Sequence, residues 1–330
     1  MMKRKNFAFI SVVCFVIGLT FIPAQSPALE KIPPVEIVHG SVGGTWQTIS
    51  GTIADLINTL YDGHPVSSIP GAGGVGNVSR LGEGKSDIGM SYAPFLKAGV
   101  NGMDPYRKKY PELRSIGALI SNQMHIVVTE ESGIKTIADI KARKIGVKIG
   151  TGPMGSTEEF TMMFVLKYEG ISQGDIKSWG GRIDLQGTAQ RVDAWSDRHI
   201  DMINFFINAP AASVTELMTV RPGKVLSLPE SIRKKLAEDW GYVLSPIPAN
   251  SYPKQTAAVD TVGLPIILFT TDKVSESFVY NMTKVIAENK ERLKGAHPAF
   301  KDWEPKSMVN GLAIQVHPGA LKYYKEKGWM

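Results

Sequence analysis

Val35-Glu36-Ile37-Val38-His39-Gly40-Ser41-Val42-Gly43-Gly44-Thr45-Trp46 runs from an apolar strand through a glycine loop into the start of a helix. A second stretch, Ile145-Gly146-Val147-Lys148-Ile149-Gly150-Thr151-Gly152-Pro153-Met154-Gly155-Ser156-Thr157, has the same layout. Read outward, the first predicts strand Val35–His39, helix Thr45–Leu60, strand Val66–Pro70, helix Gly74–Glu83 and strand Ile88–Tyr92. The second predicts strand Ile145–Ile149, helix Ser156–Glu169, strand Arg182–Leu185, helix Thr188–Arg198 and strand Met202–Ile207. Two similar α/β units in one chain imply two lobes with a cleft between them. Helix N-termini facing that cleft would offer free backbone N–H groups to an anion.

The helices are legible from spacing. Trp46, Ile49, Ile53, Leu56, Ile57 and Leu60 recur at helical intervals and predict one buried stripe. Thr45 is placed to cap this helix. Ser156 followed by Glu159 has the pattern of a capping box. His125–Thr129 and Val262–Phe269 are apolar runs that would carry the chain between lobes. The helix expected over Ser275–Leu293 and a last one around Gly319–Lys327 would then pack back on the first lobe. The expected division is 29–127 and 268–330 for lobe one and 128–267 for lobe two.

At the N-terminus, Lys3-Arg4-Lys5, the apolar run Phe7–Phe21 and the small residues Ser26-Pro27-Ala28 form a secretory signal peptide, residues 1–28, with cleavage expected after Ala28. The run is shorter than the roughly 20 residues of a membrane span. Cleavage removes Cys14, the single cysteine, so the mature chain has no disulfide. It also removes three of the 37 basic residues and none of the 31 acidic ones, which lowers the net charge from +6 to +3. The remaining basic residues are dispersed, which argues against nucleic acid as a partner. The mature length, roughly 300 residues, exceeds what one core usually serves.

The glycine loops invite enzymatic readings. Gly71–Gly76 and Gly150–Gly155 both match G-x-G-x-x-G, and each follows a strand and precedes a helix. The first, however, follows the second strand of its unit, and Pro153 stiffens the second where a pyrophosphate needs close backbone approach. Gly150–Thr157 approaches a P-loop, but Ser156 stands where the phosphate-binding lysine belongs. His64, His297 and His317 precede prolines and read as loop residues. His39 sits beside a glycine loop, where a structural role and a ligand contact are equally open. Charged pairs such as Lys234-Lys235 with Glu238-Asp239 read as a solvated face. No H-E-x-x-H, paired-cysteine zinc spacing or G-x-S-x-G elbow occurs. The reading is therefore of a binding protein with no catalytic residues, cofactor or metal. Strand-end residues Tyr92, Phe205, Phe206 and Asn208 would line the crevice. Trp46 fits either the crevice or the core stripe.

The order and spacing of these motifs resemble the TAXI group of extracytoplasmic solute receptors, which serve TRAP transporters. The resemblance rests on His39–Trp46, on Pro70-Gly71-Ala72-Gly73-Gly74 with Asn77, on Lys85–Gly89, Ser132–Ile140, Gly150–Thr157, Trp179-Gly180-Gly181, Phe205-Phe206, Thr261–Pro265 and His317–Ala320. It covers nearly the whole mature chain. It implies a two-lobed type II periplasmic-binding-protein fold, each lobe a mainly parallel sheet flanked by helices, with two crossing hinge strands. It implies a periplasmic monomer that delivers a small organic acid or amino acid to an ion-gradient-driven permease. Carried over by position, Gly44, Thr45, Trp46, Gly74, Val75, Asn77, Ser91 and Tyr92 would line one wall, and Thr151, Ser156, Thr157 and Asn208 the other. The chain departs from the group at Trp46-Gln47, where a tyrosine pair is common, at Gly73–Asn77, and at Ile207-Asn208-Ala209-Pro210. These departures fall in the pocket and leave the ligand open. The tricarboxylate-receptor family, which shares the Pro70–Gly74 loop, is the alternative.

Overall fold

The computed structural model describes residues 31–330; the signal peptide expected over residues 1–28, with Cys14, lies outside the described residues. Ten strands form one curled sheet in the order β2-β1-β3-β10-β4-β7-β5-β6, with β8 and β9 attached to its centre. β1 (Val35–Val38), β2 (Val66–Ile69) and β3 (Ile88–Tyr92) are parallel and make one lobe's sheet. β5 (Lys148–Thr151), β6 (Arg182–Leu185) and β7 (Met202–Ile207) repeat the arrangement in the other.

β4 (Leu113–Thr129) and β10 (Val262–Thr271) run antiparallel through both lobes. On one side, Ile266–Thr270 of β10 pair with Tyr92–Ile88 of β3. On the other, Gln123–Val128 of β4 pair with Ile207–Met202 of β7. β8 (Gly223–Val225) joins the end of β4, and β9 (Val243–Leu244) joins the start of β10. β4 begins twelve residues before the apolar run read from the sequence. Arg114, Ser115, Ser121, Asn122 and Gln123 interrupt its apolar pattern and hide the first half. A shift in register beside Pro265, which lacks an N–H to give the ladder, marks where β10 crosses.

The helices flank the sheet. Lobe one carries α1 (Thr45–Asn58), α2 (Gly74–Gly82) and α3 (Ala93–Asn101). Lobe two carries α4 (Ile137–Ala142), α5 (Thr157–Tyr168), α6 (Gln173–Ser178), α7 (Thr188–Ser196), α8 (Ala212–Val220) and α9 (Glu230–Trp240). The chain then returns as α10 (Glu276–Glu288), α11 (Lys290–Ala296) and α12 (Pro318–Glu326), and α10 packs on α1 and α12. Gly319 permits the last contact, since a Cβ there would lie 2.2 Å from the Glu276 carbonyl. His317 N–H donates to Ser115 O (2.8 Å) and the Tyr324 hydroxyl to Ile116 O (2.6 Å), which ties the C-terminus to β4.

Four local readings change. The cap of α1 is Gly44; Thr45 is its first helical residue and caps nothing. Ser156 caps α5 by accepting from Glu159 N, but the Glu159 carboxylate accepts from Gly155 N instead of completing a box. β5 begins at Lys148 because Ile145–Val147 is held in a tight turn, with Val147 N–H donating to Ile145 O. The expected Ser275–Leu293 helix breaks at Asn289, which leaves helical geometry (φ −113°, ψ 39°) and ends α10.

His125 on β4 is fully buried. Its Nδ1 bonds the Gln123 carbonyl (3.0 Å) and its Nε2 bonds the Tyr252 hydroxyl (2.7 Å), which already accepts from Ala211 N. The carbonyl fixes the proton on Nδ1, so Nε2 is the acceptor. Burial pushes the imidazole pKa from 6.5 down to about 4. The unfolded chain then takes up a proton that the native strand refuses. Stability should fall as pH drops from about 6.5 through about 4, because the unfolded state binds more protons in that window. Urea unfolding of the wild type and His125→Gln at pH 7.5 and 4.5 checks this. The variant should lose less stability than the wild type between the two, the remaining loss being shared by His39, His297 and His317, which burial also depresses, and by ion-paired carboxylates such as Glu131.

Candidate functional site

Four helix N-termini converge between the lobes. α1, α2 and α7 begin after Gly44, Gly73 and Gly187, and none of these caps supplies a side-chain acceptor. None of the three helices has an acidic residue in its first turn. α5, capped by Ser156, carries Glu158 and Glu159 in its first turn. Glycine caps leave the first-turn N–H groups bare and let the two sides approach closely.

The two glycine loops touch. Gly76 N–H, in the first turn of α2, donates to Gly155 O at 2.9 Å. A Cβ on Gly73, whose φ is +103°, would lie 3.4 Å from Ser156 Cα, and one on Gly74 would lie 2.4 Å from Thr157 Oγ1. Gly43 likewise faces Ala189 at the start of α7. The lobes are closed on one another, and the space left between them is a cavity of about 40 Å³ open to the centre of a water molecule. That is room for a few waters at roughly 10–15 Å³ each, or for one small solute.

Gly40, Ser41, Gly44, Thr45 and Trp46 line this cavity from the first loop, and Ala72, Gly73 and Gly74 from the second. Tyr92 lines it from the end of β3; Ser156, Thr157 and Glu158 from α5; Thr188 from α7; Phe205, Phe206 and Ile207 from β7. Three aromatic rings form one continuous wall. The Trp46 and Tyr92 centroids are 5.2 Å apart, as are those of Tyr92 and Phe206. Asn122 of β4 holds both sides of that wall, its amide bonding the Tyr92 hydroxyl (2.9 Å) and the Phe206 carbonyl (3.1 Å). Burial, with the Glu158 charge second, raises the Tyr92 phenol well above its ordinary range, so it stays neutral.

Charge is sparse and paired. Arg191 is fully buried behind Thr188, its guanidinium 4.9 Å over the Phe205 ring. It donates to the Asn204 carbonyl and to Thr188 Oγ1 (3.3 Å). Burial lowers its pKa and the nearby Glu158 opposes that shift. The Glu158 carboxylate lies 3.7 Å away, an ion contact longer than a hydrogen bond. Thr157 Oγ1 is buried, faces the cavity and has no hydrogen-bond partner.

Seven of the twelve residues expected at the site lie on this cavity: Gly44, Thr45, Trp46, Gly74, Tyr92, Ser156 and Thr157. The other five stand behind it. Asn77 is buried, its amide donating to Val38, His39 and Met90 carbonyls while its oxygen accepts from Gly73 N, so it fixes the second loop. Ser91 Oγ donates to Gly74 O (2.6 Å) and Asn208 Nδ2 to Ser121 O (2.8 Å). Val75 packs in the core, and Thr151 is buried beneath its loop. Glu158 and Thr188 escaped the sequence reading. Thr188 was legible as the first residue of the second lobe's second helix, the counterpart of Gly74.

The model of the NMT1-like family matches residues 37–328. The chain belongs to the NMT1-like family. Among solved structures it is similar to MatC from Rhodopseudomonas palustris with bound malate, at 12% identity and a TM-score of 0.54 over 90% of this chain and 98% of that one. It is also similar to the periplasmic binding protein BugD, at 14% identity and a TM-score of 0.52 over 91% and 95%. At these identities the likeness is one of fold: the two-lobed periplasmic-binding-protein architecture. No helix among the described residues is long and apolar enough to cross a membrane. No group of His, Cys, Asp and Glu among them could hold a metal ion.

The position of Asn77 makes it a support, so its loss should appear as instability. Asn77→Ala orphans up to four buried backbone groups and should cost roughly 2–3 kcal/mol. Urea unfolding checks the size.

Proposed function

We propose that this protein is an extracytoplasmic solute receptor that closes two lobes over a small carboxylated molecule. The observation that carries the reading is Thr157. Its buried hydroxyl is unpartnered, faces the cavity and sits in the first turn of α5, whose leading N–H groups have no helical acceptor. A carboxylate seated there would take charge-assisted hydrogen bonds from these groups. The malate bound in MatC supports an organic acid as the class of ligand.

The finer assignment is a receptor of the TAXI type, periplasmic and monomeric after removal of its leader, that hands its ligand to the membrane subunits of a TRAP transporter. It rests on the motif order quoted above. We assign lobe one to residues 29–127 and 268–330 and lobe two to 128–267, hinged on β4 and β10. The tricarboxylate-type receptor is the second reading, because the Pro70–Gly74 loop shared with that family supplies Ala72, Gly73 and Gly74 to the cavity. We assign no catalysis: the cavity hydroxyls of Ser41, Thr45, Ser156, Thr157 and Thr188 have no histidine bonded to them to act as a base.

A thermal-shift screen of the mature protein against carboxylates and amino acids tests the class of ligand. At 100 times its dissociation constant, the true ligand should add about 2.7 kcal/mol of apparent stability. Thr157→Ala should then weaken that ligand by about tenfold or more in calorimetry, with little change in melting temperature of the free protein. Ser156→Asp, which keeps a cap but sets a negative charge against the anion, should weaken it further. Stabilisation by a neutral sugar or a nucleotide, and by no acid, refutes the reading.

A further inference from the structure

We propose that Thr188 binds the ligand and sets its specificity: its hydroxyl, held as a donor by the buried guanidinium of Arg191, takes a second oxygen of the solute, beyond the carboxylate seated at Thr157. Arg191 acts through Thr188 and is a positioning residue. The proposal rests on the carboxylate-receptor reading and deepens it.

Thr188 is buried and lines the cavity. Its Oγ1 accepts from Arg191 Nη2 at 3.3 Å. A guanidinium only donates, so it occupies a lone pair of the hydroxyl and leaves the proton to be given elsewhere. Among the described residues no acceptor takes that proton. Arg191 is held in place: its other terminal nitrogen donates to the Asn204 carbonyl, and its Cζ lies 4.9 Å from the centre of the Phe205 ring. Arg191 is fully buried and does not itself line the cavity. Its charge therefore reaches a ligand through the Thr188 hydroxyl, which it polarises as a donor.

The placement of Thr188 repeats that of Thr157. Each is the first residue of a second-lobe helix, Thr157 of α5 and Thr188 of α7. Each oxygen faces a glycine that starts a first-lobe helix: a Cβ on Gly74 would lie 2.4 Å from Thr157 Oγ1, and one on Gly44 would lie 3.9 Å from Thr188 Oγ1. The two hydroxyls thus stand at two junctions of one closed cavity. A solute with a carboxylate alone fills the first junction and leaves the Thr188 proton without an acceptor, which is costly in a closed site. A solute with a second oxygen group fills both. Glu158 balances the Arg191 charge at 3.7 Å, so this oxygen meets a polarised hydroxyl and not a free cation.

Calorimetry on the mature protein tests this with paired probes: short carboxylic acids that carry a second oxygen group, each against the same acid with hydrogen in place of that group. The wild type should prefer the oxygen-bearing member of its best pair by about tenfold or more. Thr188→Val should cut that preference to within about threefold, and Thr188→Ser, which restores the hydroxyl, should keep it. Thr157→Ala should weaken both members alike, since both carry the carboxylate. Arg191→Lys should weaken the oxygen-bearing probe by about fivefold in the wild type and by less than about twofold in Thr188→Val, because its effect passes through that hydroxyl. Melting temperatures report folding, and Thr188→Ala carries the same prediction if Thr188→Val does not fold. An unchanged preference in a folded variant that lacks the hydroxyl, or a wild type with no preference, overturns the proposal and leaves the carboxylate reading intact. Equal losses from Arg191→Lys in both backgrounds overturn the part given to Arg191. If no acid of either kind binds, the carboxylate reading falls and the proposal with it.

Discussion

A backbone hydrogen bond across the cleft, Gly76 N–H to Gly155 O at 2.9 Å, joins the two glycine loops. Each partner belongs to a loop that opens a helix, so the bond brings the N-terminus of α2 against that of α5. Only glycine allows it. At Gly73 the backbone takes a left-handed φ that side chains resist, and at Gly74 a Cβ would collide with Thr157 Oγ1. The glycines therefore bring the lobes into contact, and they do so without contributing a side chain to the cavity. What remains between the lobes is shaped by the neighbours: an aromatic wall, a few hydroxyls and one ion pair.

The same closeness makes the site expensive to leave empty. Thr157 Oγ1 lies buried without a partner beside a small cavity. In an opened molecule it would meet water. Closure removes that water, and a ligand that supplies an acceptor to Thr157 returns what closure took away. Binding and closure are on this account one event. β4 and β10 run unbroken through both lobes and on this account take the bend, and Asn122 of β4 holds Tyr92 of β3 and Phe206 of β7.

The glycine-loop repeat was enough to read the two-lobed fold, because turn chemistry and helical spacing are local signals. β3, β6 and β7 fall on the residues expected. The first half of β4 was not legible: its polar residues are satisfied by strands from distant parts of the chain, and alternation alone does not reveal that. The site divided in the same manner. Gly44, Gly74 and Ser156 lie on the cavity, but Val75 and Thr151 of the same glycine loops are buried behind it, and Asn77, Ser91 and Asn208, which look like ligand donors in sequence, spend their bonds on backbone carbonyls. No motif in the sequence joins Glu158 of α5 to Arg191 of α7. Their pairing at 3.7 Å depends on β7 packing between them, with Asn204 and Phe205 fixing the guanidinium, and no single stretch of sequence contains that information.

The central claim is that a ligand closes the cleft by bringing the two glycine loops together. Amide hydrogen exchange at Gly76, followed by NMR in the presence and absence of the screened ligand that most raises the melting temperature, tests it at the bond itself. The account predicts fast exchange in the free protein and strong protection once the site is saturated, as Gly76 N–H engages Gly155 O. Equal exchange at Gly76 in both states, under saturating ligand, would contradict it.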